Sequence, residues 1–152
     1  MASGVGTSTC VAAQVHVPAG DWAAAVTAAA QLLCDAGAVS EHYVERCVEI
    51  VHDHGPYIVV APGIAIAHAR PEDGAHELGL SSVSLAAPVR FGHPGNDPVS
   101  LVFAFSSPDR DAHVGLVAAL ARALTAGLAD RLRAAPTDDA AVELLRGVTD
   151  HE

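Results

Sequence analysis

Nine histidines stand in this 152-residue chain against eight arginines and no lysine, so the chemistry open to it is largely that of imidazole. His68 has the most open setting. It closes the apolar run Gly63-Ile64-Ala65-Ile66-Ala67 and is followed by Ala69 and then by the charged residues Arg70, Glu72 and Asp73. A histidine between two alanines at such a strand-to-loop edge is sterically accessible. Neutral imidazole near pH 7 is also a nucleophile able to carry a transient phosphoryl bond. A surface histidine in a turn is the alternative that spacing alone leaves open. His113 follows Asp109-Arg110-Asp111-Ala112 in the first turn of an expected helix, where unpaired N–H groups and the positive end of the helix dipole attract phosphate. There it either adds a hydrogen-bond donor or is simply the neighbour of a cap formed by Asp109 or Asp111.

The remaining histidines form weaker cases. His52 and His54 make an HxH pair near a helix end, with His42 upstream. On a helix the two rings diverge by about 200° and no third ligand shares a face with either, so no metal site is expected. His16, His76, His93 and His151 read as solitary surface residues. The patterns GxSxG, GxxxxGK[ST], GxGxxG and HExxH are all absent. Hydrolase, P-loop, dinucleotide and zincin chemistry therefore lack support, and no cofactor is expected. Glu72-Asp73 and Asp138-Asp139 are adjacent rather than converging, and read as solvated turns and helix starts rather than acid/base dyads.

The elements that must position these residues alternate between helical and extended patterns. Asp21 can cap a helix over Trp22 to Ala36 with Gly37 as its stop, and Ser40 a second over Glu41 to Asp53. Tyr57 to Val60 and Ile64 to Ala67 read as short extended pieces around Pro62-Gly63, and Leu78 to Ala86 and Val99 to Phe105 as further strands. A Pro/Gly/Asn-rich loop over Pro88 to Pro98 joins the last two. A helix is expected from Asp109 to about Ala126, and a short one over Asp138 to Arg146. The fold class this implies is α/β, a mixed sheet with helices on one or both sides.

Length fits one domain, read as residues 11–150 after a Gly/Ser/Thr lead-in over residues 1–10. The net charge of −10 excludes a general nucleic-acid or anionic-membrane binder, because both need a basic face. With 51% hydrophobic but only 4% aromatic residues, the core must be aliphatic and Ala-rich, and the apolar surplus makes a homodimer plausible. Cys10, Cys34 and Cys47 are odd in number with no CxxC spacing, which fits a reducing cytosol. No secretory leader or bilayer-spanning run is expected.

The segment from Gly55 to Gly74, GPYIVVAPGIAIAHARPEDG, resembles the active-site segment of the EIIA components of the bacterial phosphoenolpyruvate-dependent sugar phosphotransferase system. The likeness is to the mannitol/fructose-type superfamily and, within it, the ascorbate-type branch. It runs from about Val15 to Leu124 and includes the helix around Trp22, Asn96-Asp97-Pro98 and the Asp-x-x-x-His start of the later helix. The resemblance implies an α/β sandwich in which the histidine at the place of His68 accepts a phosphoryl group from HPr and hands it to an EIIB cysteine. The histidine at the place of His113 would sit beside that group, with Arg70 and Asp111 as further phosphoryl contacts. An EIIA-like regulatory module, read by a protein partner, is the alternative, and a domain that has lost activity is a third reading. Two positions depart from the family pattern. Ala67 stands where the family usually has Pro before the histidine, and His52 stands, by count, where mannitol-type members carry an Arg.

Overall fold

The computed structural model describes residues 9–150. Five strands form one mixed sheet: β1 (Cys10–Val17), β2 (Val59–Ala61), β3 (Ile64–Ala67), β4 (Gly79–Val89) and β5 (Val99–Ser106), in the order β1-β4-β5-β3-β2. β1 runs parallel to β4 and β3 parallel to β5, while β4 is antiparallel to β5 and β2 to β3. The helices are α1 (Trp22–Asp35), α2 (Glu41–His54), α3 (Arg110–Thr125), α4 (Leu128–Ala134) and α5 (Asp138–Thr149). Expectation and structure agree on the mixed α/β class, with helices on both sides.

The two-sided arrangement follows from the alternation along the central strand. Val102 and Ala104 of β5 face the layer of α1 and α2, where they join Val26, Leu33 and Val44. Leu101, Phe103 and Phe105 face the opposite layer, where Leu116, Leu120, Leu132 and Leu145 pack. A strand buried on both faces needs apolar residues at nearly every position, which is what β5 has. With few aromatics available, alanines let α1 sit close to the sheet: Ala25, Ala29 and Ala30 are fully buried, and the Ser81 hydroxyl donates to the Ala29 carbonyl at 2.7 Å.

Helix starts follow local side-chain chemistry. Asp21, Ser40 and Asp109 accept from the backbone N–H groups of Ala24, Tyr43 and Ala112. At α5 the cap is Thr137, not Asp138; the Asp138 carboxylate is occupied instead by the Val15 N–H across the sheet edge.

Two elements were not anticipated. β1 begins at Cys10, inside the expected lead-in, and is mostly half-buried small residues with little strand signature; residues 1–8 of that lead-in lie outside the described residues. α4 occupies a stretch read as connection, and follows Gly127 in the left-handed region at φ 98°. β4 also runs past Pro88 to Val89, because its pairing with β5 shifts register between Ser84 and Val89 and the proline falls in that irregular stretch. Among the described residues no single helix is long and apolar enough to cross a membrane; α3 and α4 would have the length only as a pair, which is bent by 75°.

The β2–β3 turn is pinned from outside. Gly63, at φ 75°, donates to the Asn96 carbonyl, and its own carbonyl accepts from Ser100, Leu101 and Arg133. A side chain there would meet Arg133 Nη2 at 3.0 Å. The loop that supplies Asn96 is organised by Asp97, whose carboxylate accepts from the N–H groups of Phe91, Gly92 and His93. His93 is therefore not a solitary surface residue: its Nδ1 accepts from Gly95 and Asn96 within that loop.

Phe103, fully buried in β5, tests the core directly. Phe103→Ala is expected to cost about 3–5 kcal/mol in urea unfolding, and a loss below about 1 kcal/mol would contradict the packing described.

Candidate functional site

The β3–β5 ladder ends at the pair Ala67 and Ala104; His68 follows the end of β3, while Phe105 is still paired with Leu80 of β4, and the two lie side by side. Their rings stack with centroids 4.7 Å apart and planes 15° from parallel. After Phe105 the chain turns through Ser107-Pro108 into α3, and the first turn of that helix brings His113 edge-on to the same phenyl ring at 5.0 Å. The two imidazole centroids are 6.0 Å apart. Phe105 is thus a common floor for both histidines.

The environment distinguishes the nitrogens of His68. Nδ1 is buried without a hydrogen-bond partner, which leaves Nε2 as the reachable nitrogen. Burial first, and then the neighbouring His113, hold the ring's pKa below its ordinary value of 6.5; the Ile66 carbonyl pulls the other way without making a hydrogen bond of good geometry. The result is a neutral, nucleophilic imidazole at physiological pH.

Tyr43, buried on α2, lies behind this pair. Its hydroxyl donates to the Phe105 carbonyl at 2.8 Å and accepts from the Ala69 N–H at 3.0 Å. Burial keeps the phenol protonated far above its usual range. Beyond Ala69, the Arg70 N–H is held by Asp73 at 3.1 Å, and Asp73 in turn faces Arg46 Nε at 3.7 Å. Arg46 also bonds Glu49 at 2.8 Å.

In front of the histidines lies an open pocket of about 640 Å³. Three arginines line it, Arg46, Arg70 and Arg110, with the three imidazoles of His54, His68 and His113 and only two acids, Glu72 and Asp109. In a chain with eighteen acidic residues this is a marked local reversal of charge. Beside it an apolar hollow of about 420 Å³ shares His68, His113 and Tyr57, and is walled by Ile58, Val60, Ile66, Val117 and Leu124. Tyr57, Val60 and Val117 are exposed there.

The family model described as "Phosphoenolpyruvate-dependent sugar phosphotransferase system, EIIA 2" matches residues 9–147. The chain belongs to that family. It is 34% identical over 134 residues to the ascorbate-specific PTS system EIIA component of Escherichia coli (strain K12), and equally to that of Shigella flexneri, with 87% of each chain covered. The solution structure of the mannitol-specific cryptic phosphotransferase enzyme IIA CmtB from Escherichia coli aligns at TM-score 0.77 and 33% identity, over 90% of this chain and 92% of that one. The IIA chain in the complex of mannitol enzyme IIA with phosphorylated enzyme IIB from Escherichia coli shares the fold at TM-score 0.73 and 22% identity, over 89% of this chain and 94% of that one. As an EIIA component, the protein is a phosphotransferase.

Of the residues singled out in sequence, this EIIA chain brings His68, His113 and Arg70 to one pocket. Asp111 is not brought there. It lies two residues before His113 on α3, hence about 200° around the axis, and is exposed to solvent in the first turn. His52 likewise points away, 79% exposed in its side chain and 3.4 Å from Asp53. The α2 stripe that reaches the pocket is Arg46, Ile50 and His54, at i, i+4 and i+8. Sequence reasoning missed Arg46, Arg110, His54 and Tyr43. The i+4 stripe was the signal for two of them, but which face of α2 meets the pocket was not readable. Among the described residues no group of three or more His, Cys, Asp or Glu is arranged to hold a metal ion. The nearby Cys47 is an inert core thiol, pushed up to about 12 chiefly by burial.

The lowered pKa of His68 gives a signed expectation. The folded state binds this proton less readily than the unfolded chain, so its share of stability is complete above 6.5 and is lost as pH falls below that value. NMR titration should place the His68 midpoint below 6.5, and His68→Gln should flatten the acid side of the stability profile; a midpoint at or above 6.5 would contradict the burial described.

Proposed function

We propose that His68 is the phosphoacceptor, and that residues 11–150 act as one cytoplasmic phosphotransfer domain between phospho-HPr and an EIIB component. The single observation carrying this reading is the orientation of His68. Nδ1 is sealed against the protein, which leaves Nε2 for reaction, and His68 lines a pocket with three arginines and two further imidazoles. The Nε2 lone pair attacks phosphorus, the N–P bond of the donor breaks, and its electron pair returns to the donor imidazole. In the second step an EIIB cysteine thiolate attacks the same phosphorus and the bond to Nε2 breaks. Phosphoryl transfer asks the protein mainly for position and charge neutralisation. His113 supplies a hydrogen bond to a phosphoryl oxygen, while Arg46, Arg70 and Arg110 and the positive end of α3 offset its charge.

The apolar hollow supports partner docking on the same face. Exposed Tyr57, Val60 and Val117 beside the reacting nitrogen give a partner a surface to bury while excluding water from the transfer. Likeness to ascorbate-specific components favours a role in uptake of ascorbate or a similar acidic sugar, over a purely regulatory one.

Incubation with Enzyme I, HPr and phosphoenolpyruvate should yield an acid-labile, base-stable phosphoprotein that passes its label to EIIB. His68→Ala should abolish labelling, and labelling equal to the parent would overturn the assignment. His113→Ala should keep the acceptor but slow transfer by about 10²–10³, the usual cost of one oxyanion donor. An unchanged transfer rate would remove His113 from the site.

A further inference from the structure

Tyr43 lines neither the polar pocket nor the apolar hollow, yet its hydroxyl touches both chain segments that define the reacting group. The β3–β5 ladder stops at Ala67 and Ala104, so no strand pairing holds His68 against Phe105. The next cross-link is the Tyr43 hydroxyl. Its one proton goes to the Phe105 carbonyl at 2.8 Å, and its oxygen receives the Ala69 N–H at 3.0 Å, with the Ala69 carbonyl at 3.3 Å. Tyr43 is 1% exposed, so water does not compete for these partners.

The consequence concerns the two ring nitrogens. Both nitrogens of an imidazole can form a bond to phosphorus, and access decides which one does. In this protein the ring lies on Phe105 with its Nδ1 edge buried against the protein, which leaves Nε2 as the accessible nitrogen. That stack is held by backbone groups on both sides, and Tyr43 joins them. We infer that Tyr43 is a positioning residue that directs phosphorylation of His68 to Nε2, by tethering Ala69 to Phe105 and so holding the Nδ1 edge of the imidazole buried against the protein. The inference rests on the reading of His68 as phosphoacceptor. In the step it controls, the Nε2 lone pair forms the new bond to phosphorus while the donor's N–P bond breaks toward the donor.

Tyr43→Phe keeps the buried ring and removes only the hydroxyl. Losing one such hydrogen-bonded group shifts a conformational ratio by about fivefold to tenfold. Wild-type protein phosphorylated by Enzyme I, HPr and phosphoenolpyruvate should show Nε2-phosphohistidine with only a small, measurable fraction of the Nδ1 isomer in ¹H–¹⁵N and ³¹P spectra. Tyr43→Phe should show the Nδ1 isomer as well, raised at least fivefold over the wild-type level. A merely structural role would lower the melting temperature and leave the isomer ratio untouched, and that outcome overturns the inference. Phe105→Leu, which removes the stacked ring but keeps the carbonyl that Tyr43 holds, should give the same mixed product. The wild-type isomer ratio from Phe105→Leu overturns the inference however Tyr43→Phe folds. Failure of wild-type labelling at His68 would instead count against the phosphoacceptor reading itself.

Discussion

One buried hydroxyl and one phenyl ring hold this site together. His68 lies a residue beyond the last ladder pair of its strand, where the sheet no longer dictates its position. The Phe105 ring gives the imidazole a surface to lie on, and Tyr43 binds the backbone on both sides of that contact. His113 meets the same ring from α3. Both imidazoles are therefore placed by a rigid aromatic platform at the end of a doubly buried strand, rather than by a loop. This arrangement also explains how Ala67 is accommodated where the family usually has Pro. Ala67 is 1% exposed and paired with Ala104, so strand pairing restrains the residue that a proline ring would otherwise stiffen.

The electrostatics are local by necessity. A chain of net charge −10 with no lysine offers phosphate no attractive field at long range. Three of its eight arginines nevertheless converge on one pocket with three of its nine histidines. Arg46 is held from behind by Glu49, which accepts one guanidinium N–H, and by the charge of Asp73 at 3.7 Å, and neither acid lines the pocket. Such exposed pairs add little to stability. Their effect is to fix where a cation points.

Charge and apolar surface also divide the face between two tasks. The arginine-lined pocket suits a phosphoryl group in passage. The hollow beside it, walled by β2, β3 and α3, suits a protein surface. Both are lined by His68, so a partner seated on the hollow lies against that imidazole. The two-layer core makes this possible, because β3 and β5 are packed on both faces and cannot yield when a partner presses on their ends.

Much of this was legible locally. Helix caps at Asp21, Ser40 and Asp109, the apolar stripes of α1 and α3, and the strands bearing His68 and Phe105 all follow from patterns a few residues long. The contrast between an apolar run and Arg70, together with the Gly55 to Gly74 segment, was enough to single out His68. What stayed hidden depended on contacts between distant residues. β1 and α4 carry weak local signals and owe their form to the sheet edge and core they pack on. The facing of α2, which turns Arg46 and His54 toward the pocket and leaves His52 exposed, is set by its docking against α1 and the shared core and not by the helix itself. Sequence by itself determined which residue types were available and which elements carry them, because backbone propensity and side-chain period act over single turns. Only the tertiary structure decided that Tyr43 would reach Phe105, 62 positions away, and that Nδ1 of His68 would be buried, because those contacts exist only once α2 lies by the end of β5.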